Sequence, residues 1–170
     1  MDVTLIVDGA NVMGSRADGW WRDRAGAMAR LHGELAALAA AGIAGPVPGE
    51  PGAAGRTGAA GEAGAEGSAA EQAGAEGEAG AAGETAGGRW FPEVLLVVEG
   101  RARAVLDLVA PAPRVRVVAA RGEGDDEIAS LAGRLTGPRV VVTADRELRR
   151  RCEAAGAAVT GPGWLLRQFG

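Results

Sequence analysis

Three short runs of aliphatic residues in this chain are each followed by acidic residues, and this pattern limits the possible folds most strongly. The runs and their acids are Thr4–Val7 before Asp8, Val115–Val118 before Asp125–Glu127, and Val140–Val142 before Asp145. Apolar runs of this length are typical of strands buried on both faces of a parallel sheet. Because parallel strands end at one edge of a sheet, the acidic groups should meet at that edge.

The remaining sequence alternates between strand-like and helix-like segments. Predicted strands cover Val3–Val7, Val94–Val98, Val115–Ala119, Val140–Val142 and Ala157–Val159. Predicted helices cover Trp21–Ala41, Ala102–Val109, Asp125–Leu135 and Arg146–Ala155, with a final turn or helix at Trp164–Phe169. This alternation predicts a three-layer α/β/α sandwich around a mainly parallel sheet of about five strands. Asp8 and Asp145 lie where the connection order reverses if the first and fourth strands are neighbours.

A segment rich in Gly, Ala and Glu interrupts the alternation over residues 44–88. It contains no Trp, Phe, Leu or Ile, so it cannot bury enough apolar surface to offset its ordering entropy. We therefore expect a disordered insert within a single discontinuous domain formed by residues 1–43 and 89–170. The insert carries seven glutamates and one arginine; the chain as a whole has a net charge of −4, so the remainder is mildly basic.

Two features that the sequence lacks restrict the kind of protein it can be. Cys152 is the single cysteine, which excludes an internal disulfide and a Cys-rich metal site. No apolar run approaches the ~20 residues that span a bilayer, and the Met1 end lacks a secretory signal pattern. We therefore expect a cytoplasmic protein with no membrane partner.

Carboxylates gathered at one sheet edge would repel one another, which raises their pKa values unless a cation lies between them. A hard ion such as Mg²⁺ or Mn²⁺ takes oxygen ligands and retains waters that can attack a phosphoryl group. The pattern thus predicts a metal-dependent phosphodiesterase with RNA as the leading substrate. Each acid also has a structural explanation, since Asp8–Gly9 could form a turn and Asp125, Asp126 or Asp145 could cap a helix.

Three motifs resemble the NYN branch of the PIN-like nucleases, and in particular the YacP-type bacterial proteins. They are Leu5–Val12, Gly124–Ile128 and Val142–Leu148. The resemblance implies a compact α/β sandwich and metal-dependent endoribonuclease activity. It also implies the members of the catalytic and metal-binding set, which are Asp8, Asp126 and Asp145 with Asp125 as an alternative or additional ligand, and Asn11 shaping the site through its amide.

Further candidate residues include an additional acid, two tryptophans and five arginines. PIN-like families often use an additional acid from the middle of the fold, and Glu99 is its candidate counterpart here, although it could equally be a turn residue before Gly100. Trp20 and Trp21 could stack on bases or anchor the following helix. Five arginines follow the strand ends or lie near the acids and are candidate RNA contacts, namely Arg16, Arg22, Arg101, Arg103 and Arg146.

Other functions stay open at this point. A non-catalytic RNA-binding or ribosome-associated module could share the fold, and so could a nucleotide phosphohydrolase. The sequence also leaves open whether a protein inhibitor binds the chain and whether the chain forms a homodimer.

Overall fold

A computed structural model describes residues 2–50 and 88–170. The strands are β1 (Thr4–Asp8), β2 (Ile43–Ala44), β3 (Arg89–Trp90), β4 (Glu93–Val98), β5 (Val115–Ala119), β6 (Arg139–Val142) and β7 (Ala158–Thr160). The helices are α1 (Gly9–Gly14), α2 (Arg24–Ala41), α3 (Gly124–Arg134), α4 (Arg146–Ala154) and α5 (Pro162–Leu166), with 3-10 segments at Trp20–Arg22 and Gly100–Asp107.

Five strands form one parallel sheet in the order β5-β4-β1-β6-β7. Successive strand residues point to opposite faces, and both faces are covered by helices. Leu5 and Val7 pack in a core with residues of α1, α2 and α5, whereas Ile6 packs in a second core with residues of α3 and α4. The predicted three-layer sandwich around a five-stranded parallel sheet is confirmed.

The central strand β1 pairs with β4 on one side and β6 on the other. The chain therefore adds β4 and β5 in one direction before it returns to add β6 and β7 in the other. This reversal opens a crevice beyond the carboxyl ends of β1 and β6. The neighbouring positions of β1 and β6 meet the condition that brings Asp8 and Asp145 to the crevice.

Most of the predicted insert, residues 51–87, lies outside the residues that the structure describes. Its flanks pack against the domain, since Ala44 pairs with Arg89 in the antiparallel β2–β3 pair and Val47 is buried in the core. The packed chain thus extends past the predicted boundary at residue 43, because an isolated Val supplies apolar burial that the average composition of the segment conceals.

Two local predictions differ from the structure near β1 and α2. The loop expected after β1 contains the short helix α1, which Asp8 caps. The long helix begins at Arg24 because the Asp23 side chain accepts a hydrogen bond from the Gly26 N–H and acts as its N-cap. Across residues 2–50 and 88–170, no helix has both the length and the apolar content that crossing a bilayer requires.

Candidate active site

An open cleft of about 430 Å³ lies at the carboxyl edge of the sheet. Its lining includes one acid from each of four places in the fold: the end of β1, the residue after β4, the first turn of α3 and the residue before α4. These acids are Asp8, Glu99, Asp125 and Asp145, and the lining is completed by Ala10, Asn11, Gly14, Ser15, Val97 and Gly124. The fold therefore concentrates negative charge at its topological switch point.

Asp8 is the most buried of these acids, with 7% of its surface exposed. Its Oδ1 accepts a hydrogen bond from the Asn11 N–H at 3.1 Å, and its Oδ2 accepts one from the Thr143 hydroxyl at 2.9 Å. Burial raises the pKa of Asp8, and the nearby charges of Asp125 and Glu99 raise it further, while the two hydrogen bonds partly offset the rise. A cation beside Asp8 would relieve this cost of ionisation.

A side-chain network joins the end of β1 to the loop between β6 and α4. The Asn11 Oδ1 accepts a hydrogen bond from the Ala144 N–H at 2.9 Å, and the Asp145 N–H donates to the Thr143 Oγ1 at 3.2 Å. Asp145 in turn caps α4 by accepting from the Leu148 N–H at 2.8 Å. Thr143 is completely buried, so the network fixes the relative position of the acids that follow β1 and β6.

Two glycines allow the acids to approach one another. A Cβ on Gly9 would lie 2.7 Å from the Val97 carbonyl oxygen, so the residue after Asp8 has no room for a side chain. A Cβ on Gly124 would lie 2.9 Å from the Glu99 Oε2, which accepts a hydrogen bond from the Gly124 N–H at 2.5 Å. Glu99 thereby joins the end of β4 to the N-terminus of α3, where a negative charge is favourable.

Asp125 and Asp126 face different surroundings although they are adjacent. Successive residues of an α-helix are rotated by about 100°, and the structure places Asp125 in the cleft while Asp126 lies outside it. Burial raises the pKa of Asp125, and the charges of Asp145 and Glu99 raise it further against a smaller opposing effect of Arg151. Asp126 is exposed and accepts a hydrogen bond from the Arg151 Nη2 at 2.9 Å, so the structure does not bring Asp126 into the cleft with Asp8 and Asp145.

The predicted RNA-contacting arginines divide into two groups. Arg16 forms an ion pair with Glu34 at 2.5 Å, and Arg103 donates a hydrogen bond to the Ala120 carbonyl oxygen. Both side chains are thus held by partners far along the chain. The other three members have exposed side chains, and these are Arg22, Arg101 and Arg146.

Comparison with solved structures supports the interpretation of the fold. The structure matches that of a tryptophan-to-leucine mutant of Rae1 (YacP) from Bacillus subtilis, with a TM-score of 0.58 over 99% of this chain and 75% of that chain. This chain has a YacP-like fold. The sequences are 16% identical, so the likeness concerns the fold alone. No protein-family model matches the sequence, and no curated protein matches it.

The cleft of this YacP-like fold offers oxygen donors, which suit a hard divalent cation. Within residues 2–50 and 88–170, no three His, Cys, Asp or Glu side chains lie close enough together to hold one ion. Mg²⁺ is commonly bound through one or two carboxylates and several waters. The chemistry of Asp8 and Asp125 therefore fits an ion of this kind, with Glu99 and Asp145 available in the same cleft.

Two hydroxyl side chains, those of Thr143 and Ser15, also belong to the cleft or to the network that supports it. Thr143 supports Asp8 through its hydroxyl, and Ser15 lines the cleft while its hydroxyl donates to the Asn11 carbonyl oxygen at 2.9 Å. A threonine at the end of a buried strand usually packs or caps a helix. Thr143 lies within the motif Val142–Leu148, whereas no sequence motif points to Ser15.

Proposed function

We propose that this protein is a metal-dependent endoribonuclease of the NYN/PIN-like type, acting in the cytoplasm on RNA phosphodiester bonds. The observation that carries the proposal is the meeting of acids from four separate elements in one open cleft. A fold does not require such a concentration of like charge, which costs free energy unless a cation is bound. The resemblance of the motifs to PIN-like nucleases and the YacP-like fold agree with it.

Asp8 and Asp125 would hold Mg²⁺ or Mn²⁺, with Asp145 and Glu99 contributing through water molecules bound to the ion. The bound ion would supply an activated water and neutralise charge on the phosphate. The protein's own part is to keep Asp8 ionised and oriented, which the hydrogen bonds from Thr143 and Asn11 favour. Asn11 also fixes the backbone at Ala144, so that Asp145 keeps its position against Asp8.

The shape and charge of the cleft favour a polymer over a free nucleotide. The cleft is open to solvent, and exposed arginines follow β4 and begin α4 at Arg101 and Arg146. Phosphates on either side of a scissile bond would be attracted to such side chains, as is usual for backbone contacts in nucleic-acid complexes. An internal RNA bond is therefore the substrate that the surroundings suit best.

One observation favours a second candidate. Because no three candidate ligands among the described residues lie close enough to hold one ion, the same fold could bind RNA, alone or on a ribosome, without cleaving it. In that case the acids would serve as helix caps and structural ties, as Asp145 and Glu99 already do.

The test is cleavage of a mixed RNA pool by the purified protein with Mg²⁺, with Mn²⁺ and with a chelator. We expect cleavage that requires a divalent ion and is abolished by Asp8→Asn, which keeps the hydrogen-bonding oxygen and removes the charge. RNA binding without cleavage would favour the non-catalytic module. Hydrolysis of free nucleotides with no RNA cleavage would favour the phosphohydrolase, and cleavage that survives Asp8→Asn would contradict the proposed site.

A further inference from the structure

Two tryptophans and two arginines form a cluster at the start of α2, here called the stacking platform (Trp20, Trp21, Arg22 and Arg24). The Trp20 and Trp21 rings meet edge to face, with centroids 6.3 Å apart. The guanidinium of Arg24 lies 5.5 Å from the Trp20 ring centroid and that of Arg22 lies 6.0 Å from the Trp21 ring centroid. The order of the side chains is thus arginine, tryptophan, tryptophan, arginine.

Burial does not account for Trp21. Trp20 is half-buried and packs against the main core, which explains its presence as an anchor for α2. Trp21 is 57% exposed, so most of the apolar area that a tryptophan can bury stays in water. An exposed indole beside a guanidinium is the combination on which single-stranded nucleic acids stack their bases.

A short segment of chain connects the stacking platform to the cleft. Ser15 lines the cleft, and the short chain segment from Ser15 to Trp21 can span at most about 21 Å. The first turns of α2 also lie beside the end of β1, because a Cβ on Gly9 would come 2.7 Å from the Met28 Cε. An RNA strand that enters the cleft can therefore reach Trp21 within a few nucleotides.

We propose that Trp21 is a base-stacking subsite for single-stranded RNA whose backbone lies in the acidic cleft, with Arg22 and Arg24 attracting the flanking phosphates. The subsite rests on the proposed function for the identity of its ligand. It assigns to Trp21 a role in holding the strand several nucleotides from the scissile bond. Trp21 itself takes no part in the chemistry.

The test measures binding of RNA to Asp8→Asn protein, in which cleavage cannot interfere. Trp21→Ala should weaken the binding of an oligonucleotide of about ten nucleotides by about 5- to 150-fold, which is the usual loss for one stacked base. A dinucleotide is too short to reach both sites, so its binding should be unchanged. Trp21→Phe should restore most of the affinity because it keeps an aromatic ring, whereas Trp21→Leu should not.

Phe91→Ala is the matched control, because Phe91 is another exposed aromatic residue. Phe91 packs on Gly42 at the far end of α2, about 27 Å along the helix from the stacking platform. Its replacement by Ala should therefore leave the affinity for RNA unchanged. Stacking is not ionic, and the loss caused by Trp21→Ala should therefore be the same at low and high salt.

The outcomes separate this inference from the proposed function. If Trp21→Ala binds the long oligonucleotide as tightly as before while the wild type cleaves RNA with a metal ion, the stacking subsite is refuted and the proposed function is not. The exposed Trp21 would then be a candidate contact for a protein partner. Trp21-dependent binding without any cleavage would support the platform and contradict the ribonuclease. Equal losses for the long oligonucleotide and the dinucleotide would also overturn the platform.

Discussion

Replacement of Asp8 by Asn should inactivate the protein without lowering its stability, whereas replacement by Ala should lower both. Asn retains an oxygen that can accept from the Asn11 N–H, and Asn and Asp are about equally good N-caps. Its amide can also bond to the buried Thr143 hydroxyl. At neutral pH it removes a charge whose ionisation is opposed by burial and by neighbouring acids. We therefore expect Asp8→Asn to be as stable as the wild type or more stable.

The expected loss of stability in Asp8→Ala follows from the hydrogen bonds that the substitution removes. Loss of the cap of α1 costs about 0.5–2 kcal/mol, and a Thr143 hydroxyl left buried without its acceptor costs about 1–3 kcal/mol. The free energy of unfolding should therefore fall by about 1.5–5 kcal/mol in Asp8→Ala. Urea denaturation at neutral pH, with a check that the m-value is unchanged, measures the difference between the two variants.

The difference in unfolding free energy between the wild type and Asp8→Asn should change with pH in a known direction. Because the pKa of Asp8 is raised in the folded protein above the ordinary value of 3.8, the folded state binds more protons than the unfolded state between these two pKa values. The unfolding free energy of the wild type should thus decrease relative to Asp8→Asn as the pH rises through that window, and the gap should close below 3.8. An Asp8→Asn variant as unstable as Asp8→Ala at neutral pH would refute the reasoning.

Three further predictions concern other parts of the molecule. Gly9→Ala should destabilise the protein by about 1–3 kcal/mol in urea denaturation, because the new Cβ would collide with a backbone carbonyl of β4, whereas Gly33→Ala, in open space on α2, should stabilise it by about 0.5–1 kcal/mol. Deletion of residues 51–87 with a short flexible linker should leave the thermal transition in place, because the flanking strands β2 and β3 already pair; a collapse of the transition would contradict the predicted single domain. Arg101→Ala in the Asp8→Asn protein should flatten the salt dependence of RNA binding by roughly one unit of slope, and Arg116→Ala, on the strand β5 away from the cleft, should not; equal slopes for both would remove Arg101 from the interface.

The central strands β1 and β6 were predictable because they are buried on both faces. Runs such as Leu5–Val7 and Val140–Val142 carry no alternation to obscure them, and an acid follows each within three residues, at Asp8 and Asp145. The β2–β3 pair was not predictable, since its strands are two residues long and carry no periodic pattern. The partners of Arg16 and Arg103 were also beyond prediction, because those contacts join residues brought together only by the packed fold.

The choice between Asp125 and Asp126 shows what helical periodicity could have added. Residues three and seven positions after Asp125, Ile128 and Ala132, are buried, so Asp125 lies on the face of α3 that is directed toward the sheet. Residues four and seven positions after Asp126 are exposed, which directs Asp126 toward solvent. The acidic motif alone treats the two residues alike, whereas the apolar positions that follow it distinguish them.

The most direct measurement of the central claim is calorimetric titration of Mn²⁺ into wild-type protein, Asp125→Asn and Asp126→Asn. If the cleft that contains Asp8 and Asp125 is the metal site, the wild type and Asp126→Asn should bind Mn²⁺ alike, and Asp125→Asn should lose most of its affinity. Each variant replaces one carboxylate by an amide of nearly the same size, so the comparison tests which of the two adjacent charges the ion requires. Binding that is abolished by Asp126→Asn and retained by Asp125→Asn, or no binding to the wild type, would contradict the account.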